Sequence, residues 1–440
     1  MLIGRTKSVC PVCLRVIDAE KHSENDGIYM VKSCPDHGRF KTLIWEGDLR
    51  SYVRWDKGTK KQESPVNGKK AEKGCPYDCG LCESHQRKGC CMLLEVTQRC
   101  NLRCPVCFAS AGENCERDLS MEEIERQYDF LMSHGGPFNI QLSGGEPTMR
   151  DDLPEIIKMG RDNGFTFFQL NTNGIRLGER ENYAAELKAA GLNTVFLQFD
   201  ALDDKVYKVL RGKELLDIKL KCIDNCARAG LGIVLVPVIA AGVNENQIGE
   251  ILKFALKNMP AVRGVHFQPL SYFGRCALEH PEKPVTIPKM LRLIESQTEG
   301  MMKAEDFSGG GAENPYCSFH ANYMRRKDGS LKALKRPEEE CCCCTGSDDS
   351  RQFVANQWSG EGESFDPDGD MCETSALDEF LEQARLNTIA VSGMVFQDCF
   401  NFDLRRVQRC YICEVDKDYG MVPFCAYNLT NLDGKSLYRK

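Results

Sequence analysis

From residue 92 to about residue 270, short runs of β-branched and aromatic residues alternate with segments whose apolar residues recur at helical spacing. This alternation is typical of βα units that wind around a parallel sheet. The strand candidates are residues 92–97, 138–142, 165–170, 194–199, 231–239 and 262–268. Six such repeats predict an α/β fold built on a partial (β/α)6 barrel, with residues 92–285 as its core.

Helices are predicted between these strands. Ser120 and Glu123 have the spacing of a capping box, which predicts a helix that runs from there to about His134. The other helix candidates are residues 151–163, 180–190, 214–229 and 246–258. In a parallel barrel the loops after the strands meet at one mouth, so residues that directly follow a strand are the candidates for chemistry.

Two motifs follow the first and second strands. Cys100, Cys104 and Cys107 form a CxxxCxxC pattern, and Gly144-Gly145-Glu146-Pro147 follows further along the chain. Three thiolates leave one iron of a [4Fe–4S] cube without a protein ligand. S-adenosylmethionine (SAM) can chelate such an iron through its amino and carboxylate groups. Either motif alone is a weak signal, because CxxxCxxC also binds zinc and Gly-Gly also forms ordinary turns.

With both motifs in this order, the chain resembles the radical SAM superfamily. The resemblance implies a [4Fe–4S] cluster that reductively cleaves SAM to a 5′-deoxyadenosyl radical, which abstracts hydrogen from an unactivated C–H group. Phe108, after the last cysteine, would shield the cluster or simply pack in the barrel. The expected SAM contacts, each of which has an ordinary loop cap as its alternative role, are Ser143, Gly144, Gly145, Glu146, Pro147, Asn171, Asn173, Gln198, Asp200, Ile239 and Gln268.

The N-terminal segment, residues 1–60, carries its own ligand pattern. Cys10 and Cys13 form one knuckle, and Cys34 with His37 forms another about twenty residues later, a spacing suited to a tetrahedral zinc or rubredoxin-like iron site. The fourth ligand is either His37 or a remote cysteine. A structural zinc ribbon is the simpler interpretation of this segment.

Residues 61–91 are predicted to hold a linker and an auxiliary cluster. Cys75, Cys79 and Cys82 would bind it with either Cys90 or Cys91 as the fourth ligand. Four protein ligands saturate a [4Fe–4S] cube, so such a cluster can pass electrons or hold structure but cannot bind SAM.

Residues 286–440 are predicted to form a C-terminal domain with another auxiliary cluster. The five candidates for its four ligands are Cys317, Cys399, Cys410, Cys413 and Cys425. The run Cys341, Cys342, Cys343 and Cys344 differs, because adjacent side chains diverge and cannot easily share one ion. We expect it to supply a catalytic thiol pair, a hydrogen donor or a nucleophile, with an incidental role as the alternative. Residues 345–370, rich in Gly, Ser and Asp, are predicted to form a mobile loop.

Three segments resemble one branch of the radical SAM superfamily in particular. Residues 74–82, 95–109 and 423–428 resemble the archaeal tetraether lipid synthase and its bacterial radical SAM relatives, some of which are selenoproteins. This resemblance implies a rubredoxin-like iron or zinc site, a SAM cluster, two auxiliary clusters and C–C bond formation between lipid chains. The region after about Gln268 departs most from that synthase.

Composition limits the partners and the setting. Lys and Arg total 57 against 64 Asp and Glu without long tracts of either sign, which argues against a nucleic-acid surface. The longest apolar runs are too short to cross a bilayer, and no signal peptide pattern opens the chain. Twenty-five cysteines therefore predict metal thiolates rather than disulfides, in the cytoplasm of an anaerobe.

The leading hypothesis is a radical SAM enzyme that abstracts hydrogen from an aliphatic substrate, with a lipid chain as one candidate, for C–C coupling or group attachment. The alternative within enzymes is a peptide or small-molecule modifying radical SAM enzyme with auxiliary clusters. The alternative of another class is an Fe–S electron-transfer or scaffold protein, which has no use for the Gly-Gly-Glu-Pro turn. The expected electron donor is a ferredoxin or flavodoxin, and peripheral membrane contact stays open.

Overall fold

The computed structural model describes residues 1–56, 63–112, 117–310, 313–334, 347–360, 386–418 and 420–439 of the 440-residue chain. The run Cys341–Cys344 lies outside the described residues. Within them, no helix combines the length and apolar character that a membrane span requires.

The N-terminal segment is a four-stranded antiparallel meander with one short helix. Its elements are β1 (Leu2–Val9), β2 (Val16–Ser23), β3 (Gly27–Cys34), β4 (Gly38–Glu46) and α1 (Leu49–Trp55). The β1–β2 turn and the β3–β4 turn lie at the same end of the sheet. This places the two Cys-containing turns side by side.

The predicted barrel strands are present in a single sheet. The strands of this region are β5 (Cys91–Thr97), β6 (Val106–Cys107), β7 (Asn139–Gly144), β8 (Phe168–Thr172), β9 (Thr194–Gln198), β10 (Gly232–Val236), β11 (Val238–Ile239), β12 (Val262–Pro269) and β13 (Arg275–Cys276). Six of them pair in parallel in the order β5-β7-β8-β9-β10-β12. The expected (β/α)6 arrangement is confirmed.

Helices cover the outer face of this sheet. They are α2 (Met121–Ser133), α3 (Leu153–Asp162), α4 (Ile175–Glu179), α5 (Tyr183–Ala189), α6 (Asp204–Arg211), α7 (Leu216–Arg228), α8 (Ile248–Lys257) and α9 (Ile287–Gln297). The capping box at the start of α2 is confirmed, since Ser120 and Glu123 each accept the other's backbone N–H. Ile124, Tyr128 and Leu131 bury one stripe of α2 in the main core. Helices α4, α6 and α9 were not predicted.

The C-terminal third extends the same sheet rather than standing apart from it. Its elements are β14 (Ser318–Arg325), β15 (Leu331–Ala333), α10 (Ser347–Trp358), β16 (Thr388–Met394), α11 (Leu404–Val407), β17 (Ile412–Asp416), β18 (Gly420–Pro423) and α12 (Phe424–Tyr427). β16 pairs in parallel with β12, and β17 pairs in parallel with β5. Both edges of a partial barrel expose unpaired backbone groups, and these strands satisfy them.

Helix α10 occupies part of the segment that was predicted to be a mobile loop. It lies across the N-terminal ends of the barrel strands: Asn139 Nδ2 donates to the Arg351 carbonyl at 3.0 Å, and Arg263 Nε donates to the Gln357 carbonyl at 3.3 Å. A side chain at Gly232 would overlap the Trp358 carbonyl oxygen. The C-terminal third thus closes the floor of the barrel.

The capping box gives a direct test of the fold. We expect Ser120→Ala to lower the free energy of unfolding by about 1 kcal/mol, because the Glu123 amide loses its side-chain acceptor. Chemical denaturation of the metal-depleted protein measures this change. Ser133→Ala, in the exposed last turn of the same helix, is the control; equal losses in the two variants would contradict the assignment.

Candidate functional site

The barrel encloses a cavity of about 270 Å³. Most of the predicted site residues line it: Cys100, Cys104, Cys107, Ser143, Gly144, Gly145, Glu146, Asn171, Asn173, Gln198 and Gln268. Pro147, Asp200 and Ile239 are buried but do not line this cavity. The structure therefore brings together the loops after the first, second and third strands, as expected for a parallel barrel.

The cysteine loop is held from one side by the segment around Arg275. β6 pairs antiparallel with β13, with Cys107 opposite Arg275, and Arg275 Nε donates to the Cys104 carbonyl at 2.8 Å. Gly274 has a φ of +63°, and a side chain there would overlap the Phe108 carbonyl oxygen. Glycine is thus required for the close approach that fixes the loop.

Glu146 ties the second strand end to the third. Its carboxylate accepts hydrogen bonds from Thr148 N at 3.1 Å, Thr172 Oγ1 at 2.7 Å and Asn173 N at 2.7 Å. Asn173 Nδ2 in turn donates to Asn101 Oδ1 at 2.7 Å, which reaches the cysteine loop. The carboxylate is therefore a structural anchor of the mouth as well as a candidate ligand for SAM.

The two glycines before Glu146 let this turn pack directly against the cysteine loop. Side chains at Gly144 and Gly145 would overlap the carbonyl oxygens of Thr97 and Arg99. Gly144 also has a φ of +124°, a conformation that L side chains rarely adopt. Backbone groups of the turn consequently form the cavity wall.

Lys219 is a fully buried lysine on α7 beside this wall. It donates to the Asn173 carbonyl and, at 3.3 Å, to Gln198 Oε1. Burial lowers its pKa to about 8. Because Lys219 holds the oxygen of Gln198, the amide nitrogen of Gln198 is left to face the cavity.

Asp200, a predicted SAM contact, is fully buried and engaged in an ion pair. It forms a bidentate ion pair with Arg211, at 2.7 and 2.8 Å, and accepts from Val238 N at 3.0 Å. Asp200 raises the pKa of Arg211 although burial opposes this, so the guanidinium remains charged. Arg211 lines the cavity and donates to the Val106 carbonyl at 3.2 Å, so the pair supports the cysteine loop from below.

Sequence reasoning missed Arg211, Lys219 and His266. The first two lie on helices, where a charged residue normally indicates an exposed face. His266 could have been found, because it precedes Gln268 by two residues on one strand and therefore faces the same side.

The N-terminal turns bring four metal ligands together. Cys10 Sγ, Cys13 Sγ, Cys34 Sγ and a His37 nitrogen all lie within 4.8 Å of one another. Tetrahedral zinc with Zn–S bonds of about 2.3 Å spaces its ligands roughly 3.8 Å apart. Small adjustments would therefore complete a tetrahedral site from these residues, with His37 as the fourth ligand.

The predicted auxiliary ligands divide differently from their order in the sequence. The thiols of Cys75 and Cys79 are in hydrogen-bond contact, and the charge of Cys82 acts on Cys75. Cys90 and Cys91 instead line the barrel cavity. Burial and the nearby thiols Cys410, Cys79 and Cys91 raise the pKa of Cys413, so Cys413 has neighbours from each of these groups of cysteines.

Among the five C-terminal candidates, Cys317 and Cys425 lie near Cys410. Burial is the largest cause of the raised pKa of Cys410, and the neighbouring thiols of Cys425 and Cys317 raise it further. Arg406 Nε donates to Cys317 Sγ at 3.3 Å. Cys399 lies apart, near Cys10, and its carbonyl accepts from Lys32 Nζ at 2.6 Å.

Comparisons with known proteins agree with this architecture. Residues 94–255 match the radical SAM superfamily, and residues 2–46 match the HMPTM N-terminal zinc ribbon domain. The chain is 35% identical to 7,8-dihydro-6-hydroxymethylpterin dimethyltransferase of Methanocaldococcus jannaschii, over 96% of this chain and 93% of that protein.

Two other similarities are partial. A probable GTP 3′,8-cyclase of Pyrococcus abyssi is 36% identical over 37% of this chain and 52% of its own length. The crystal structure of Streptococcus suis SuiB bound to S-adenosylmethionine covers 48% of this chain and 47% of its own, with 19% identity and a TM-score of 0.41.

The N-terminal ligand set can be tested by metal analysis. We expect Cys34→Ser to lose about one zinc or iron per chain, because three remaining ligands hold a structural ion weakly. Elemental analysis of the purified protein measures the loss. Cys222→Ser, a buried cysteine on α7 outside this set, should retain the metal; retention by Cys34→Ser as well would refute the assignment.

Proposed function

Because the chain belongs to the radical SAM superfamily and to the family that includes 7,8-dihydro-6-hydroxymethylpterin dimethyltransferase, we propose that it attaches methyl groups to a pterin or closely related small molecule. The similarity to the dimethyltransferase extends over 96% of the chain, so it includes the N-terminal ribbon and the C-terminal third as well as the barrel. The partial similarity to a GTP cyclase covers 37% of this chain and supports the shared radical chemistry.

The observation that carries the proposal is the convergence of three thiols and one polar wall on a single cavity. Cys100, Cys104 and Cys107 line the cavity, and so does the strand end from Ser143 to Glu146, which packs against the cysteine loop. The donor set fits a cube with one open iron, since three thiolates leave one site for another ligand. Among the described residues lining this cavity, Glu146 is a carboxylate that can face the ammonium group of SAM, whereas the charge of Arg211 is paired with Asp200.

When bound and reduced, the cluster supplies the electron that cleaves SAM to a 5′-deoxyadenosyl radical. The protein's own residues then have three tasks. Asn173 and Gln198, held by Lys219, orient ligands at the wall. The Arg275 clamp keeps the thiolate loop in place. Helix α10 excludes water from the floor.

We assign a role in electron transfer to the cysteines that were predicted to bind auxiliary clusters. Cys75, Cys79, Cys82 and Cys413 would hold one auxiliary cluster, and Cys317, Cys410 and Cys425 would provide three ligands of another. Because these thiolates lie beside the barrel wall, we expect them to pass electrons from a ferredoxin or flavodoxin in the cytoplasm to the SAM-binding cluster. The N-terminal ion, whether zinc or iron, would hold the ribbon against the C-terminal third, where Lys32 reaches the Cys399 carbonyl.

The resemblance to the tetraether lipid synthase predicts an aliphatic lipid substrate, and this substrate stays a prediction. The cavity carries side-chain amides from Gln141, Asn171, Gln198 and Gln268. Buried amides require hydrogen-bond partners, which an alkyl chain cannot provide. Gln141 and Asn171 already bond each other at 3.2 Å, which leaves the Gln198 nitrogen and the Gln268 amide as groups that a polar ring can bond and a hydrocarbon cannot.

Product analysis tests the function. Each methyl group would consume two SAM molecules and two electrons: one SAM yields the radical that takes hydrogen from the substrate, and the other donates the methyl group and leaves as S-adenosylhomocysteine. The reconstituted protein, excess SAM, a reductant and 7,8-dihydro-6-hydroxymethylpterin are incubated without oxygen, and mass spectrometry follows the pterin and S-adenosylhomocysteine. Addition of one or two methyl groups is the expected result. A parallel incubation with lipid extract that alone yields a new product would replace the pterin proposal with the lipid one.

The cluster loop gives a second test. We expect Cys104→Ala to abolish formation of 5′-deoxyadenosine, because each thiolate is one of only three anchors of the cube. Chromatography of the reduced reaction mixture measures 5′-deoxyadenosine. The matched Cys222→Ala variant, altered in the buried face of α7, should still cleave SAM, whereas wild-type cleavage by Cys104→Ala would disprove the role of the loop.

A further inference from the structure

Three aromatic rings from distant parts of the chain meet at the floor of the barrel cavity. Phe196 comes from β9, His266 from β12 and Trp358 from the end of α10, and all three line the cavity. Ring centroids are 5.0 Å apart for Phe196 and Trp358, 5.6 Å for Phe196 and His266, and 6.2 Å for His266 and Trp358. We call these three residues the aromatic cup.

The rings are inclined to one another rather than stacked. Their interplanar angles are 50° for Phe196 and Trp358, 39° for Phe196 and His266, and 68° for His266 and Trp358. Inclined rings that all border open space leave ring faces and edges available to a further ring. The cup can therefore receive a flat group from the cavity above it.

His266 adds a directed hydrogen-bonding group to the cup. Its Nδ1 lies 2.9 Å from Ser392 Oγ, which fixes the orientation of the imidazole. Within the described part of the chain, Nε2 has no hydrogen-bond partner. Burial lowers the pKa of His266 to about 4, so the ring is neutral at physiological pH and offers Nε2 as a donor or an acceptor, according to its tautomer.

Amide groups lie one step above the cup on the same two strands. Gln198 follows Phe196 by two residues and Gln268 follows His266 by two, so each amide is about 6.5 Å closer to the mouth and faces the same side. Lys219 holds the Gln198 oxygen, and the Gln268 side chain has no partner among the described residues. The lining thus changes from rings at the floor to amides above them.

We propose that the aromatic cup, with His266 Nε2 and the Gln268 amide, is the subsite for a planar, hydrogen-bonding heterocycle, which it seats at the floor so that the reacting carbon faces the thiolate mouth. This assignment rests on the proposed function, because it takes the substrate to be a small ring system processed in this cavity. The alternative is that Trp358 only plugs the barrel.

Equilibrium binding tests the subsite. The probe is 6-hydroxymethylpterin, titrated without oxygen into the cluster-loaded protein with SAM present and followed by its own fluorescence. We expect His266→Phe, which keeps the ring and removes its nitrogens, to raise the dissociation constant about tenfold. Trp358→Leu should raise it by a similar factor, and Trp358→Phe should bind more tightly than Trp358→Leu. SAM binding, measured separately, should remain at the wild-type level in all three.

Matched controls lie outside the barrel. His134→Phe, at the end of α2, and Trp55→Leu, at the end of α1, should bind the pterin as the wild type does. If the cup variants also bind normally, the subsite assignment is overturned while the proposed function stands. If they lose binding but the wild type makes no methylated pterin, the proposed function fails and the subsite stands. A wild type that does not bind the pterin overturns both.

Discussion

The buried carboxylate of Glu146 fixes the mouth on which the rest of the site depends. An ionised carboxylate removed from water costs several kcal/mol unless its oxygens are hydrogen-bonded, and here Thr148, Thr172 and Asn173 supply the donors. Through Asn173 the same network reaches Asn101 on the cysteine loop. The position of the thiols relative to the polar wall is therefore set by hydrogen bonds between strand ends, together with the Arg275 clamp on the cysteine loop.

The barrel could be predicted because its signals are local. β10 is a short continuous apolar run, whereas β7 and β8 alternate apolar residues with polar ones such as Gln141 and Asn171, which line the cavity. The capping box at Ser120 is contained within four residues. No local pattern in the sequence of an edge strand indicates which strand it pairs with. β17 pairs with β5 although the two are far apart in the chain, and only the open edges of the assembled sheet select that pairing. Helix α10 likewise has a loop-like composition, and it is stabilised by contacts with Gly232 and Asn139 that a local pattern cannot contain.

The metal ligands show the same limit. The ribbon ligands were predictable, since two hairpin turns at one end of a small sheet bring Cys10 and Cys34 together. The auxiliary ligands were harder to group, because proximity in sequence joined Cys90 and Cys91 to the Cys75 segment. In the structure Cys91 begins β5 and lines the cavity, and Cys413 on the neighbouring strand lies near Cys91 as well as near Cys79 and Cys410, so the fourth ligand beside Cys75, Cys79 and Cys82 stays a prediction. Among so many cysteines, spatial grouping depends on sheet pairing that spacing does not encode.

The distribution of charge along the cavity matches the two kinds of ligand it has to receive. Among the described residues that line it, the charged side chains are Glu146, which follows the second barrel strand, and Arg211, whose charge is paired with Asp200. Towards the floor the lining is neutral, with amides and then the His266 ring. Hydrogen abstraction develops little charge, so the rate depends on the position of the reacting carbon more than on electrostatic stabilisation. In the proposed subsite, a neutral floor would meet that need by seating a ring without attracting ions or water to the radical.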